Sequence, residues 1–429
     1  MNLLDENSTY WLFGWLEANR ITTVDQLYLC LGKKSSLDEL RNVAEAWHDS
    51  TPPLPSDGIN LVAGTGLRLD DLLTCPSLPC RLQQVDVLFR HAWHYFDRIL
   101  LPDGVGDLLL HKPKAWTEDQ WLETLFGWIA LAMYIQEVGA SGLVSYYPKH
   151  LTPPKDFLTR VLKINVDDLR IAVSGTESDI IREGTFDFHR VGKSTFHVSF
   201  DDPVLGVGTE LTVMLPKGAE DNAQNIQIET AHSIIEEHLQ NLEEDLHAHR
   251  HLKGSLGTVV WTHERILSRI SPPNVRDVIL KLSLPSIARI PIRELVAIRL
   301  AEGDSFAAFR AALTKAAQAM LDSNSNLECE DVSKLLVEET VKPELQKIEQ
   351  RLRAAKRTLR RTTALSLTLA ALAAKCGLLI GLAPVAAEAA GMAALVSGGT
   401  RAGAKYIQEK QAVELSDMYF LWKTLSHAR

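Results

Sequence analysis

The sequence predicts a mainly α-helical protein with a small β-rich, α+β module in the middle and a long C-terminal helical stem and hairpin. Three observations predict it. Apolar residues recur every three or four positions through most of the chain, the spacing of one helical face. Between about residues 156 and 215 that period changes to two, the spacing of a strand. Near the end, a basic cluster runs into an alanine-rich apolar stretch. Four regions follow: a helical domain over 1–150, a β-containing module over 151–220, a second helical domain over 221–340, and a stem, hydrophobic hairpin and tail over 341–429.

In the first region Trp11, Leu12, Trp15 and Leu16 share a helical stripe, and Val24 to Leu31 repeats the habit. Pro52, Pro53 and Pro55 end this block, because proline removes a donor and restricts the residue before it. Val85, Leu88, Phe89, Trp93 and Phe96 mark the next helix, which stops at Leu101-Pro102-Asp103-Gly104. A third runs from Trp116 to Val138 and closes at Gly139 and Gly142. In the middle module, residues 185–190 and 194–200 alternate around Val191-Gly192-Lys193 and read as a hairpin. Thr209 to Leu215 supplies another strand.

From Asp221 to His251 a long polar helix returns, with Gly254 as its expected terminator. Further on, Leu345, Ile348, Leu352, Ala355 and Leu359 alternate by three and four as a short heptad seam. The stripe then resumes one position out of step at Leu365, Leu369, Leu372, Cys376 and Leu379, so the stem hands over to a different packing face.

The bulk numbers exclude several classes. The 429 residues, 46% hydrophobic and 23% charged, are those of a globular chain with room for more than one domain. A net charge of −9 argues against general nucleic-acid binding, which wants a basic face. Five scattered cysteines (Cys30, Cys75, Cys80, Cys329, Cys376) do not form a secreted disulfide framework, which points to a reducing compartment. The first twenty residues carry acidic Asp5 and Glu6 and no basic region before an apolar run, so the expected location is cytoplasmic.

The apparent active sites do not assemble into a reaction. Gly192-Lys193-Ser194-Thr195 resembles part of a phosphate loop, yet Asp187 stands where its first glycine belongs and the flanks alternate as strands. Glu243, His247 and His251 lie on one helical face and are the best metal candidate. They lack a further ligand pair, so a solvated helix end is the favoured reading. Cys75 and Cys80 form at most half a metal site. His91, His94 and Asp97 share a face, but crowding by Trp93, Tyr95 and Phe96 favours packing, and no nucleophile accompanies them. The expectation is a protein with no catalytic residues, no metal and no cofactor.

The tail carries the strongest physical signal. Arg351, Arg353, Lys356, Arg357, Arg360 and Arg361 form a basic collar before two apolar arms, with Leu365, Leu369, Leu378, Leu379 and Ile380 among their large residues. Gly381 and Pro384 mark the bend, and Arg401 and Lys405 follow the second arm. Basic flanks on both sides suit a hairpin that associates with, or conditionally inserts into, the inner membrane from the cytoplasmic side. Against spanning stands Lys375, whose burial at a bilayer centre costs about 2.5–3.5 kcal/mol. Enclosure of the arms within a soluble helical bundle is the alternative.

Several strings resemble a family of mostly uncharacterised bacterial proteins linked to phage-defence loci. They are residues 94–103, Gly142 to Pro148, Leu284 to Arg299, Phe306 to Leu313, and Met418 to Lys423. The resemblance implies a non-enzymatic antiviral-defence component with a C-terminal hydrophobic hairpin. Its partners would be a second copy of itself, another defence protein or the membrane. The alternative it leaves is a soluble self-assembling scaffold or sensor subunit.

Overall fold

The computed structural model describes residues 10–50, 58–70, 78–148, 166–201, 208–258, 260–270, 274–282, 290–323, 327, 329–348, 350, 420, 421 and 424. They are mostly helical, as the apolar periodicity predicts, and the chain divides into two compact units, Met1–Leu280 and Lys281–Arg429.

The first unit opens with α1 (Trp11–Ala18), α2 (Val24–Leu31) and α3 (Lys34–Ser50), then β1 (Asn60–Ala63), α4 (Leu78–Ala92) and β2 (Arg98–Pro102). Next come α5 (Gly104–Leu110), α6 (Glu118–Glu137), β3 (Val144–Tyr147) and α7 (Val166–Glu183). A meander of β4 (Thr185–Arg190), β5 (Thr195–Asp201) and β6 (Gly208–Met214) leads into α8 (Ala223–Leu252). The unit closes with β7 (Ser255–Gly257), α9 (Trp261–Ile270) and α10 (Val275–Leu280). Capping boxes start two of these helices: Thr23 with Gln26 for α2, and Thr117 with Gln120 for α6. Each satisfies backbone donors that a helix's first turn leaves without partners.

The hairpin expected around Val191-Gly192-Lys193 is present. Strands β4 and β5 pair antiparallel, with Phe186 opposite Phe200 and Phe188 opposite Val198, and β6 adds to β5 as the third strand. The period of two turns Phe196, Val198, Phe200 and Val213 onto one buried face.

The reading of residues 1–150 as wholly helical is corrected. Strands β1, β2 and β3 lie there, and with β7 from the supposed second helical region they build a four-stranded parallel sheet of order β3-β2-β1-β7. The physical reason lies in their burial. All four residues of β1 and four of the five in β2 are buried. A strand covered on both faces shows no alternation, and four apolar letters match a helix turn equally well.

The 30-residue helix α8 organises the unit. At 1.5 Å per residue it is about 45 Å long. Its apolar stripe serves successive neighbours. Ile226 packs with Phe196, Val198, Val213 and Leu215 of the meander; Ala231, Ile234 and Ile235 pack with Ile180 and Phe200. Leu242 and Leu246 then meet Ile266, and Ala248 and Leu252 meet Val62, Leu100 and Tyr147 of the parallel sheet. One helix thus carries the meander at one end and the parallel sheet at the other. It ends at Lys253, which takes the left-handed conformation (φ 53°), one residue before the expected Gly254.

The second unit contains α11 (Ile292–Ala301), α12 (Gly303–Ser323) and α13 (Cys329–Leu336), which runs into a π-helical turn at Val337–Val341. Phe306, Phe309, Leu313 and Ala317 make the buried stripe of α12. Phe420 packs on it, with ring centroids 5.1 Å from Phe306 and 5.7 Å from Phe309. The Arg299 guanidinium lies over the Phe306 ring at 3.0 Å, and that of Arg310 lies 5.4 Å from the same ring. Among the described residues, no helix is long and apolar enough to cross a membrane. The collar and arms, from Arg351 through Leu378, Leu379 and Ile380, lie outside the described residues.

Candidate functional site at the carboxyl edge of the parallel sheet

Strand β1 is central, with β2 on one side and β7 on the other. The chain moves outward from β1 through β2 to β3 and then returns across β1 to form β7, so the strand order reverses at β1. In open α/β sheets, the crevice outside the carboxyl ends of the strands at such a reversal is where ligands bind. Two polar clusters and a cavity occupy that edge here.

The first cluster centres on Asp103, the residue after β2, which is fully buried. Its side chain caps α5 by accepting from Gly106 N–H at 2.9 Å. It also accepts from the Trp11 indole N–H at 2.7 Å and the Tyr10 hydroxyl, and His48 Nε2 lies 2.9 Å away. Each carboxylate oxygen therefore has two partners, its full capacity. Burial, and then the Asp103 charge, hold the Tyr10 hydroxyl pKa well above the ordinary value. Gly106 is required here, because a Cβ would overlap Asp103 Oδ2 and His48 Nε2.

The second cluster joins the loop after β1 to α8. Asp245 Oδ2 accepts from Thr65 N–H at 2.7 Å and from the Thr65 hydroxyl at 2.8 Å. Arg68 Nη1 lies 3.5 Å from Asp245 Oδ1 and 3.6 Å from Glu244 Oε2, and its Nε lies 3.4 Å from Asp70 Oδ1. His263 donates from Nε2 to the His238 carbonyl at 2.8 Å, and its Nδ1 lies 3.4 Å from Thr258 Oγ1. Burial raises the Asp245 pKa to about 6, against the pull of Arg68 and Thr65. Burial, and then His238, lower that of His263 to about 3. Gly64 permits this approach: a Cβ there would come within 2.7 Å of Asp245 Oδ2 and 2.8 Å of the Gly257 carbonyl.

A cavity of about 30 Å³ lies along the same edge, lined by Tyr10, Asp70, Trp128 and Tyr146 with Leu101 and Val105 among the apolar walls. Tyr10 and Tyr146 stack, with centroids 3.7 Å apart. One water-sized probe takes about 10–15 Å³ on this scale, so the space matches roughly two non-hydrogen atoms.

The groups singled out in the sequence lie elsewhere. His94 is buried and donates to the Ile279 carbonyl at 3.2 Å, and burial lowers its pKa to about 4. His91 bonds the Val87 carbonyl of its own helix, while Asp97 accepts from Ile59 N–H at 2.7 Å. The three hydrogen bonds thus go to three different backbone groups. Gly192-Lys193-Ser194 sits in the β4–β5 turn, not before a helix. No group of three or more His, Cys, Asp or Glu side chains among the described residues could hold a metal, His247 and His251 included. Cys80 is exposed and free, and Cys75 lies outside the described residues.

Sequence reasoning missed Tyr10, His48, Thr65, Arg68, Asp70, Asp103, Asp245 and His263 as a group. One local signal was present. Gly64-Thr65-Gly66 follows the apolar run Leu61-Val62-Ala63, the pattern of a strand leaving a sheet through a tight turn. Fold and site together define a parallel α/β unit with a polar carboxyl edge, joined to an antiparallel meander by one long helix. No protein-family model, no curated protein and no solved structure matches the chain.

Proposed function

We propose that this protein is a non-enzymatic, two-part bacterial defence component. Its first unit recognises a small molecule at the carboxyl edge of β1, β2 and β3, and its C-terminal segment acts on the inner membrane. The cavity bounded by Asp70, Tyr10, Trp128 and Tyr146 carries the recognition part. It combines one carboxylate with aromatic and apolar walls at the place where parallel sheets bind ligands. Its size admits the tip of a ligand, a head group of about two non-hydrogen atoms. Recognition is favoured over catalysis because the candidate reactive groups are already engaged. The Thr65 hydroxyl donates into Asp245 with both residues buried, and all four acceptor positions of Asp103 have partners.

Thermal unfolding of the full chain against small hydroxyl- and ammonium-headed metabolites tests this part. A binder of the folded state raises Tm with the logarithm of its concentration once that exceeds Kd. Ala132→Leu, which fills the cavity, abolishes that rise. A rise that survives Ala132→Leu, or no rise with any compound, removes the reading.

The membrane part is carried by the basic collar Arg351 to Arg361 ahead of the apolar arms and by the family resemblance. Each basic residue near an anionic surface contributes about 1 kcal/mol of attraction. Ile348, the second position of the heptad seam, is 2% exposed. That part of the seam is occupied within the chain, which favours membrane association over a soluble scaffold assembling through the seam. Flotation on anionic liposomes compares the full chain with one ending at Thr340, and equal partitioning sinks the membrane part.

A further inference from the structure

The loop from Gly64 to Asp70 faces two ways. Thr65, near its start, holds α8 through Asp245. Asp70, at its end, lines the cavity. Arg68 lies between them and is 8% exposed, so its charge is neutralised by protein groups more than by water. Its guanidinium lies near three carboxylates, Asp70, Glu244 and Asp245, at 3.4, 3.6 and 3.5 Å. None of the three distances reaches that of a short charge-assisted hydrogen bond, about 2.7–2.9 Å. Among the described residues, other ionisable groups at this junction include His263, whose Nδ1 lies 3.9 Å from Asp245 Oδ2, and the buried Tyr147. Burial, and then the charges of Asp70 and Asp245, raise the Tyr147 pKa.

We propose that Arg68 couples the cavity wall to helix α8: whatever draws Asp70 away from Arg68 releases the guanidinium to Asp245 and tightens α8 against the β1 loop. The direction follows from sharing one cation among three anions. A ligand or substitution that satisfies or neutralises Asp70 leaves more of the Arg68 field for the other two carboxylates. Because α8 carries the meander at its far end, the cavity and the meander are then linked by one rigid element. Only the identity of the natural trigger rests on the reading of the cavity as a ligand site. The coupling is a property of the shared cation and is testable without a ligand.

The test is a carboxyl-carbon NMR titration of Asp245 in the full chain. In Asp70→Asn its midpoint falls by about one unit, a tenfold drop in proton affinity. Part of that fall is direct loss of repulsion between the two carboxylates, so the same substitution is repeated in an Arg68→Met background. Coupling through Arg68 predicts that the shift shrinks there by at least half. An equal shift in both backgrounds, or none in either, overturns the proposal. If Arg68→Met does not fold, Arg68→Lys serves, because an ammonium point charge cannot reach both partners as the guanidinium does. Amide exchange at Thr65 gives a second readout: it slows in Asp70→Asn when Arg68 is present and is unchanged when it is replaced. A failed metabolite screen leaves this result standing, and a failed titration leaves any ligand identified by Tm standing.

Discussion

Asp245 Oδ2 accepts both the backbone N–H and the hydroxyl of Thr65, at 2.7 and 2.8 Å, across 180 positions of sequence. This pair ties the C-terminal half of α8 to the loop that leaves β1, and the unit's sheet and long helix are held together through it. Its carboxylate is buried, so the bonds are made where water cannot replace them.

Removing that carboxylate therefore has a large effect. Asp245→Ala leaves the Thr65 N–H without its acceptor and Arg68 with fewer counter-charges, at a cost of about 3–5 kcal/mol. Thr65→Val keeps the backbone bond and loses only the hydroxyl, about 1.5–3 kcal/mol. Urea unfolding followed by tryptophan fluorescence measures both, since eight of the nine tryptophans precede residue 281. Equal effects of the two substitutions would contradict the geometry.

The Asp103 cluster makes a graded prediction. Tyr10→Phe deletes one hydrogen bond to a buried carboxylate and costs about 1.5–3 kcal/mol. Gly106→Ala forces a methyl group into Asp103 and His48 and costs more than Tyr10→Phe. Gly142→Ala is the control, because a Cβ there meets nothing within 4 Å. The expected order of unfolding midpoints is Gly142→Ala, Tyr10→Phe, Gly106→Ala, from highest to lowest.

Acid lowers the stability of the first unit. His94 and His263 are held neutral, with pKa values pushed down to about 4 and about 3. A depressed histidine contributes stability that is present above its unfolded pKa, about 6.5, and lost as pH falls toward the folded value. Asp245 has the opposite sign. Its pKa is raised to about 6, so its contribution is present below about 3.9 and lost as pH rises through 6. Two histidines outweigh one aspartate, and the net loss between pH 7 and pH 4.5 is about 3 kcal/mol. Denaturation midpoints across that range check the sign. His263→Gln, whose side chain does not titrate, flattens the dependence.

In the second unit, Phe420 is fully buried against Phe306 and Phe309. Phe420→Ala costs about 3–5 kcal/mol by removing a large buried ring. Limited proteolysis of the full chain should then cut α12 faster. Unchanged protection of α12 would mean that the packing of Phe420 contributes little to the unit's stability.

Elements whose pattern is local were legible in the sequence. The hairpin of β4 and β5 showed itself through alternation of Phe186, Phe188, Phe196, Val198 and Phe200, and α8 as a long polar helical stretch from Asp221 to His251. The parallel sheet was not legible, because Asn60–Ala63 and Arg98–Pro102 are short and covered on both faces, which erases the period. Asp103 was visible only as part of a helix stop, with nothing nearby to announce its partners.

By itself, the sequence determined the long helices, where the alternating strands turn, and where basic residues give way to apolar ones near the C-terminal end. Those properties depend on neighbours within a few residues. Tertiary structure alone decided the carboxyl-edge site, because Tyr10, His48 and Asp103 are separated by up to 93 positions, and Thr65 and Asp245 by 180. Contacts at such distances leave no period in the chain. They arise when helix α8 packs its apolar stripe on the parallel sheet and brings Asp245 to Thr65 at its carboxyl edge.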